Sequence, residues 1–111
     1  MKEKQPTEAT YSRIADLAKA LSHPARVKIL KILTDKKMCI CGEIVDLLPL
    51  SQSTVSQHLK ELKRVGLIQG EIEGPKTCYC IDPVTLESAS ALFSSLFSTI
   101  YKCCQEGKNN E

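Results

Sequence analysis

The chain has 111 residues, 42% of them hydrophobic and 25% charged, and carries a net charge of +2 at pH 7. That length holds one domain with a modest core, so a second subunit is a reasonable source of further burial. The near-balance of 15 Lys and Arg against 13 Asp and Glu excludes any assignment to nucleic acid from bulk charge, and no run reaches the ~18 apolar residues that a membrane span needs.

Residues 1–10 lack an apolar period and read as a flexible N-terminal tail. Tyr11, Ile14, Leu17, Ala18 and Leu21 then recur at three and four residues and mark a first helix. Ser22 is a good cap and Pro24 suits the first turn of a second helix, whose apolar positions Val27, Ile29, Leu30, Ile32 and Leu33 carry it to about Thr34. Beyond Asp35-Lys36-Lys37 and the thiol pair Cys39-Ile40-Cys41, the residues Ile44, Val45, Leu47 and Leu48 predict a short third helix ended by Pro49. Ser51 caps a fourth helix, with Val55, Leu59, Leu62 and Val65 inward and Gly66 as its stop. Two strand-like runs, 67–72 and 77–81, joined by Glu73-Gly74-Pro75-Lys76, predict a hairpin.

From Pro83 a last helix sets Leu86, Ala89, Phe93, Leu96, Ile100 and Cys103 on a heptad-like stripe, with Phe97 and Cys104 beside it. Residues 105–111 read as a flexible C-terminal tail. The expected fold is mainly α with a small β-hairpin, a winged helix-turn-helix occupying residues 11–104. An apolar face longer than a small core requires suggests a subunit interface on the last helix, with the first helix a candidate to join it. Tyr11, Ile14, Leu17, Leu86, Phe93, Leu96, Phe97 and Ile100 are the expected interface residues.

The outer face of the fourth helix carries hydroxyls, amides and bases suited to a major groove, where Gln pairs with adenine and Lys and Arg neutralise phosphate. Base reading is expected from Gln52, Ser53, Ser56 and Gln57 beside Thr54. Lys60, Lys63, Arg64 and Lys76 are expected on phosphates, and His58 on a phosphate or in packing. An ordinary solvated helix face is the plainer reading of the same residues.

The polar N-terminus lacks a secretory apolar stretch, so the expected compartment is the cytoplasm, where six cysteines are not a disulfide framework. No nucleophile set, Gly-rich phosphate loop or acidic hard-metal cluster accompanies them, and no enzyme is expected. Two thiolates at Cys39 and Cys41 without a histidine or carboxylate cluster favour a soft, thiophilic ion. Residues two apart diverge on a helix and share a side when extended, so chelation by both sulfurs is expected to oppose helix at 39–41 and shift the reading head. Cys78 and Cys80 share one strand face. Packing beneath the wing is the expectation, a second soft-metal half-site the alternative, because a wing hairpin lies away from residues 39–41. Cys103 and Cys104 continue the stripe of the last helix, or reach back to Cys39 or Cys41.

Residues 20–33, ALSHPARVKILKIL, and 50–68, LSQSTVSQHLKELKRVGLI, resemble the ArsR/SmtB family of homodimeric winged-helix repressors, over about residues 11–104. The resemblance implies double-stranded operator DNA as partner, dimerisation through the first and last helices, and an inducer that releases the DNA. The thiol pair is similar to the Cys-Val-Cys-Asp-Leu-Cys site of the arsenic- and antimony-responsive members. Cys39 and Cys41 match its first two ligands, and Ile44 stands at the third. That implies a two-thiol site or one completed by Cys103 or Cys104, an arsenite or antimonite inducer and no obligatory cofactor. A persulfide- or redox-sensing repressor linking Cys39 or Cys41 to Cys103 or Cys104, and a cadmium- or lead-responsive one, are the alternatives. The family's zinc cluster of Asp and His in the last helix has no counterpart, since residues 83–104 contain neither.

Overall fold

The computed structural model describes residues 6–37, 39–41, 44–73 and 76–109, with the backbone alone for residues 41, 45, 71–73, 76, 77, 108 and 109. Helix α1 (Glu8–Ala20) starts three residues ahead of the expected helix because Thr7 caps it, its side chain accepting from the Thr10 N–H at 3.2 Å. Helix α2 (Pro24–Asp35) is capped by His23, not by the expected Ser22. The His23 Nδ1 accepts the Ala25 N–H at 3.0 Å, while the Ser22 hydroxyl donates back to the Lys19 carbonyl at 2.7 Å. Pro24 at the first position of α2 brings no orphaned N–H and arrives with a helical φ.

After α2 the chain adds one strand to the expected winged helix-turn-helix with its β-hairpin. Cys39–Cys41 form a strand, β1, and the expected third helix is a single 3-10 turn over Ile44–Leu47. Helix α3 (Gln52–Arg64) follows, capped as expected by Ser51, whose Oγ accepts the Thr54 N–H at 3.3 Å. Gly66 ends it with a φ of 86°, a left-handed conformation that a side chain would strain. Strands β2 (Ile68–Glu73) and β3 (Lys76–Ile81) pair antiparallel, and β1 adds to the far edge of β3, giving a three-stranded sheet in the order β1-β3-β2. Helix α4 (Pro83–Asn109) is the longest element, at 27 residues.

Sheet pleating sorts the side chains. Ile40, Tyr79, Ile68 and Ile81 lie on the face that meets the helical core, formed with Leu17, Ala20, Ile29, Leu33, Val55, Leu59, Leu62 and Ala89. Of their alternates in β1 and β3, Cys39, Cys78 and Cys80 occupy the opposite face, where Cys39 is exposed and Cys78 and Cys80 are half-buried. Packing beneath the wing is therefore not the role of Cys78 and Cys80; Tyr79 and Ile81 fill that place.

Only the first turns of α4 meet the core, through Ala89 with Leu92 and Phe93 packed against it. Its 27 residues extend about 40 Å, which accounts for overall extents of 61 × 29 × 24 Å. Among the described residues no helix is long and apolar enough to cross a membrane.

Candidate nucleic-acid interface and its thiol face

Helix α3 presents Gln52, Ser53, Thr54, Gln57, Lys60 and Lys63 exposed, with Ser56 and His58 half-buried, while Val55, Leu59 and Leu62 anchor its other side. A cleft along this outer face is lined by Ser53, Thr54, Gln57, His58 and Glu61 of α3 and by Arg26 of α2. Sequence reasoning missed Arg26, whose position on the apolar-periodic α2 gave no sign that it would flank the outer face of α3. Thr54 is tied into the cap, its hydroxyl accepting from Ser51 at 2.9 Å, and the Ser53 hydroxyl lies 3.3 Å from the same Ser51 oxygen, which leaves Gln52 and Gln57 as the freer polar groups.

The basic residues divide by role. Lys60 is exposed, and Lys63 donates from Nζ to the Gly70 carbonyl at 3.3 Å, linking α3 to strand β2 of the wing. Arg64, expected on a phosphate, is held by two carboxylates: both terminal nitrogens meet Asp16 at 2.8 Å, and Nη2 meets Glu61 at 2.7 Å. A phosphate contact there would have to displace them. These hydrogen bonds hold the Asp16 and Glu61 carboxyls below their ordinary pKa and push Arg64 further up. Together with Arg13, whose guanidinium donates to the Val65 carbonyl at 2.8 Å, Arg64 seats α3 on α1. Lys76 opens β3, and its side chain lies outside the described part of the structure.

His58 stacks at an angle on His23, with ring centroids 4.4 Å apart. Burial lowers its pKa below the ordinary histidine value, and the charges of His23 and Arg26 lower it further. It is a packing contact between the α2 cap and α3.

Immediately before this reading unit lies the thiol face. β1 and β3 run antiparallel with Cys39 opposite Cys80 and Cys41 opposite Cys78, so two pairs of cysteines meet across adjacent strands. Cys39 and Cys80, 41 residues apart in sequence, form a disulfide with a Cα separation of 4.1 Å, and Cys78 is also disulfide-bonded. Reduced thiols were the sequence expectation. Residues 39–41 are already extended, so the anticipated opposition between chelation and helix has no helix to act on. Cys103 and Cys104, the expected third thiols, are free and exposed near the end of α4. Among the described residues no three or more His, Cys, Asp or Glu form a ready metal cluster; the Cys41 side chain is not among them.

The expected interface residues also separate. Tyr11, Leu86, Phe97 and Ile100 are exposed, and Tyr11, Ile14, Leu92 and Leu96 line an apolar groove between α1 and α4. Phe93 is half-buried and stacks on Phe97 with centroids 6.4 Å apart. Leu17 is 0% exposed within the subunit's own core and is unavailable to a second subunit.

A capped, amphipathic helix presenting amides and bases, braced against a three-stranded wing, defines a winged helix-turn-helix DNA-binding protein. Residues 23–69 match the family model described as "Bacterial regulatory protein, arsR family". The chain is 39% identical over 72 residues to an uncharacterized HTH-type transcriptional regulator of Methanocaldococcus jannaschii, covering 64% of this chain and 80% of that protein. It is 32% identical over 96 residues to the HTH-type transcriptional regulator YgaV of Escherichia coli, covering 86% of this chain and 94% of that protein. A crystal structure described as a possible transcriptional regulator for arsenical resistance superposes with a TM-score of 0.64 at 28% identity, covering 74% of this chain and 84% of that one. The chain belongs to the arsR family of transcriptional regulators, a family of DNA-binding proteins and not of enzymes.

Proposed function

We propose that this regulator is a homodimeric repressor that leaves a partly palindromic operator when trivalent arsenic or antimony binds the thiolates of Cys39 and Cys41. The observation that carries the reading is the placement of both residues on one face of β1, directly ahead of the helix-turn-helix. Extended residues two apart share a side, which suits one soft ion bridging two sulfurs. The likeness to a possible regulator of arsenical resistance supports the same inducer class. By linkage, an inducer that weakens operator binding must itself bind the DNA complex more weakly, by typically about 1–3 kcal/mol. Cys39→Ser or Cys41→Ser is expected to preserve operator binding by the reduced protein and to abolish release by arsenite. Full release from either variant contradicts the reading.

One observation favours a second reading, a redox-sensing repressor of the same fold. The Cys39–Cys80 disulfide crosses from β1 to the wing, so oxidation rather than ion binding would set the position of the reading unit. The alternative anticipated from sequence joined Cys39 or Cys41 to Cys103 or Cys104, whereas the bond observed runs to β3. Loss of operator binding on oxidation in wild type, retained in Cys80→Ser, would favour this reading over the metalloid one.

A further inference from the structure

We infer that the wing strand β3 completes the inducer site, with Cys80 supplying the third thiolate to an arsenic(III) ion already held by Cys39 and Cys41. The inference rests on the reading of Cys39 and Cys41 as the inducer site and deepens it. The expected third ligand, Cys103 or Cys104, is exposed near the far end of the 27-residue α4. Cys80 instead faces Cys39 across the β1–β3 ladder, with a Cα separation of 4.1 Å, and the two sulfurs are already within bonding reach. Residues directly opposite on antiparallel strands have Cβ atoms about 4.5–5.5 Å apart. Cys41 lies two residues along the same face of β1, about 6.6 Å away along the strand. The register thus sets Cys80 directly opposite Cys39, with Cys41 the next residue of β1 in the same pleat, so one side of the sheet carries three cysteine positions for a pyramidal three-coordinate ion. Cys78, opposite Cys41 in the register and itself disulfide-bonded, is the remaining cysteine of β3.

The site is closed while Cys39 and Cys80 are joined. A dithiol reductant supplies two electrons and two protons to convert that disulfide to two thiols. The disulfide that holds Cys78 is opened at the same cost. Arsenous acid then exchanges its three As–O bonds for three As–S bonds, and the three thiol protons leave with the three hydroxyls as water. No electron changes hands in that second step. An ion so held spans β1 and the wing, and the wing is linked to α3 through Lys63 and the Gly70 carbonyl. The lever on the reading helix is therefore the wing rather than an unwound helix.

The wild-type chain tests this without any substitution, because trypsin separates its three cysteine pairs. Cleavage after Lys37, Lys60, Lys76, Lys102 and Lys108 puts Cys39 and Cys41 in fragment 38–60, Cys78 and Cys80 in 77–102, and Cys103 and Cys104 in 103–108. Fully reduced protein is loaded with one equivalent of sodium arsenite, alkylated with iodoacetamide, digested and weighed by mass spectrometry. The expected result is that 38–60 stays unalkylated, 77–102 takes at most one alkyl group with Cys80 spared, and 103–108 takes two. Two alkyl groups on 77–102 with 38–60 protected overturn the inference and leave the proposed function standing. Two alkyl groups on 38–60 overturn the proposed function itself and the inference with it. In a parallel arsenite titration, Cys80→Ser should lose most of its arsenite-dependent sulfur-to-arsenic absorbance while Cys103→Ser keeps it, and the reverse pattern overturns the inference.

Discussion

Ser51 anchors the first turn of α3, and the groups it organises are the ones proposed for DNA contact. Ser51→Ala removes the acceptor for the Thr54 N–H and is expected to lower stability by about 1 kcal/mol, read as a lower denaturant midpoint; an unchanged midpoint would mean that water caps the helix equally well. Gln57, exposed on the same face, is expected to read a base. Its replacement by alanine should weaken operator binding by about 1–3 kcal/mol in a salt-matched titration, and unchanged affinity removes it from that role. His58 gives a pH dependence with a definite sign. Its folded pKa lies below the ordinary 6.5 because burial and then the charges of His23 and Arg26 oppose its proton. The stability it contributes is complete above that ordinary value and is lost as pH falls through the lower folded pKa. Acidification from about pH 7 to about pH 5 should therefore cost wild type more than His58→Gln in urea melts, and parallel losses would show that His58 is not the group responsible.

At the scale of elements, the four α-helices were largely legible because apolar periodicity is local, whereas of their caps Ser51 alone was read correctly. α3 runs from its Ser51 cap to the Gly66 stop as read, and the hairpin lies where its β-branched residues and turn placed it. The strand β1 was not legible, since three residues are too few for a period of two to register, and its pairing with β3 is a long-range choice. With β1 hidden, the meeting of Cys39 with Cys80 was hidden too. Leu17 shows a related limit: periodicity marks an apolar face without dividing it between a subunit's core and a dimer interface. His23 displaced Ser22 as cap because an imidazole nitrogen serves as acceptor as well as a hydroxyl. The wing also holds a close approach open to test. A Cβ at Gly70 would lie 2.6 Å and 2.8 Å from the Tyr79 ring, which packs on the core. Gly70→Ala is expected to cost about 1–3 kcal/mol by overpacking and to weaken operator binding through the displaced wing, whereas wild-type stability would show that the Tyr79 ring yields freely.

For the whole molecule, the central fact is a small core with a helix that outruns it. Beyond Phe93, helix α4 exposes Phe97 at 61%, Ile100 at 50% and Tyr101 at 59%, beside the groove it forms with α1. Such a face is the surface that the proposed homodimer would bury against a second copy, as two half-sites on the proposed operator require. Phe97→Glu with Ile100→Glu should shift the protein to monomer in sedimentation equilibrium and lower operator affinity with it. A dimer that survives both changes would place the interface elsewhere.

The central claim is that thiolates of this winged helix answer a trivalent metalloid by releasing DNA, and fluorescence anisotropy of labelled operator tests it most directly. The fully reduced protein, bound to operator, is titrated in parallel with sodium arsenite and with an organic persulfide. Release by near-stoichiometric arsenite, with the persulfide inert, is the predicted result. Release by the persulfide alone would contradict the account and make the β1–β3 thiol face a redox sensor instead.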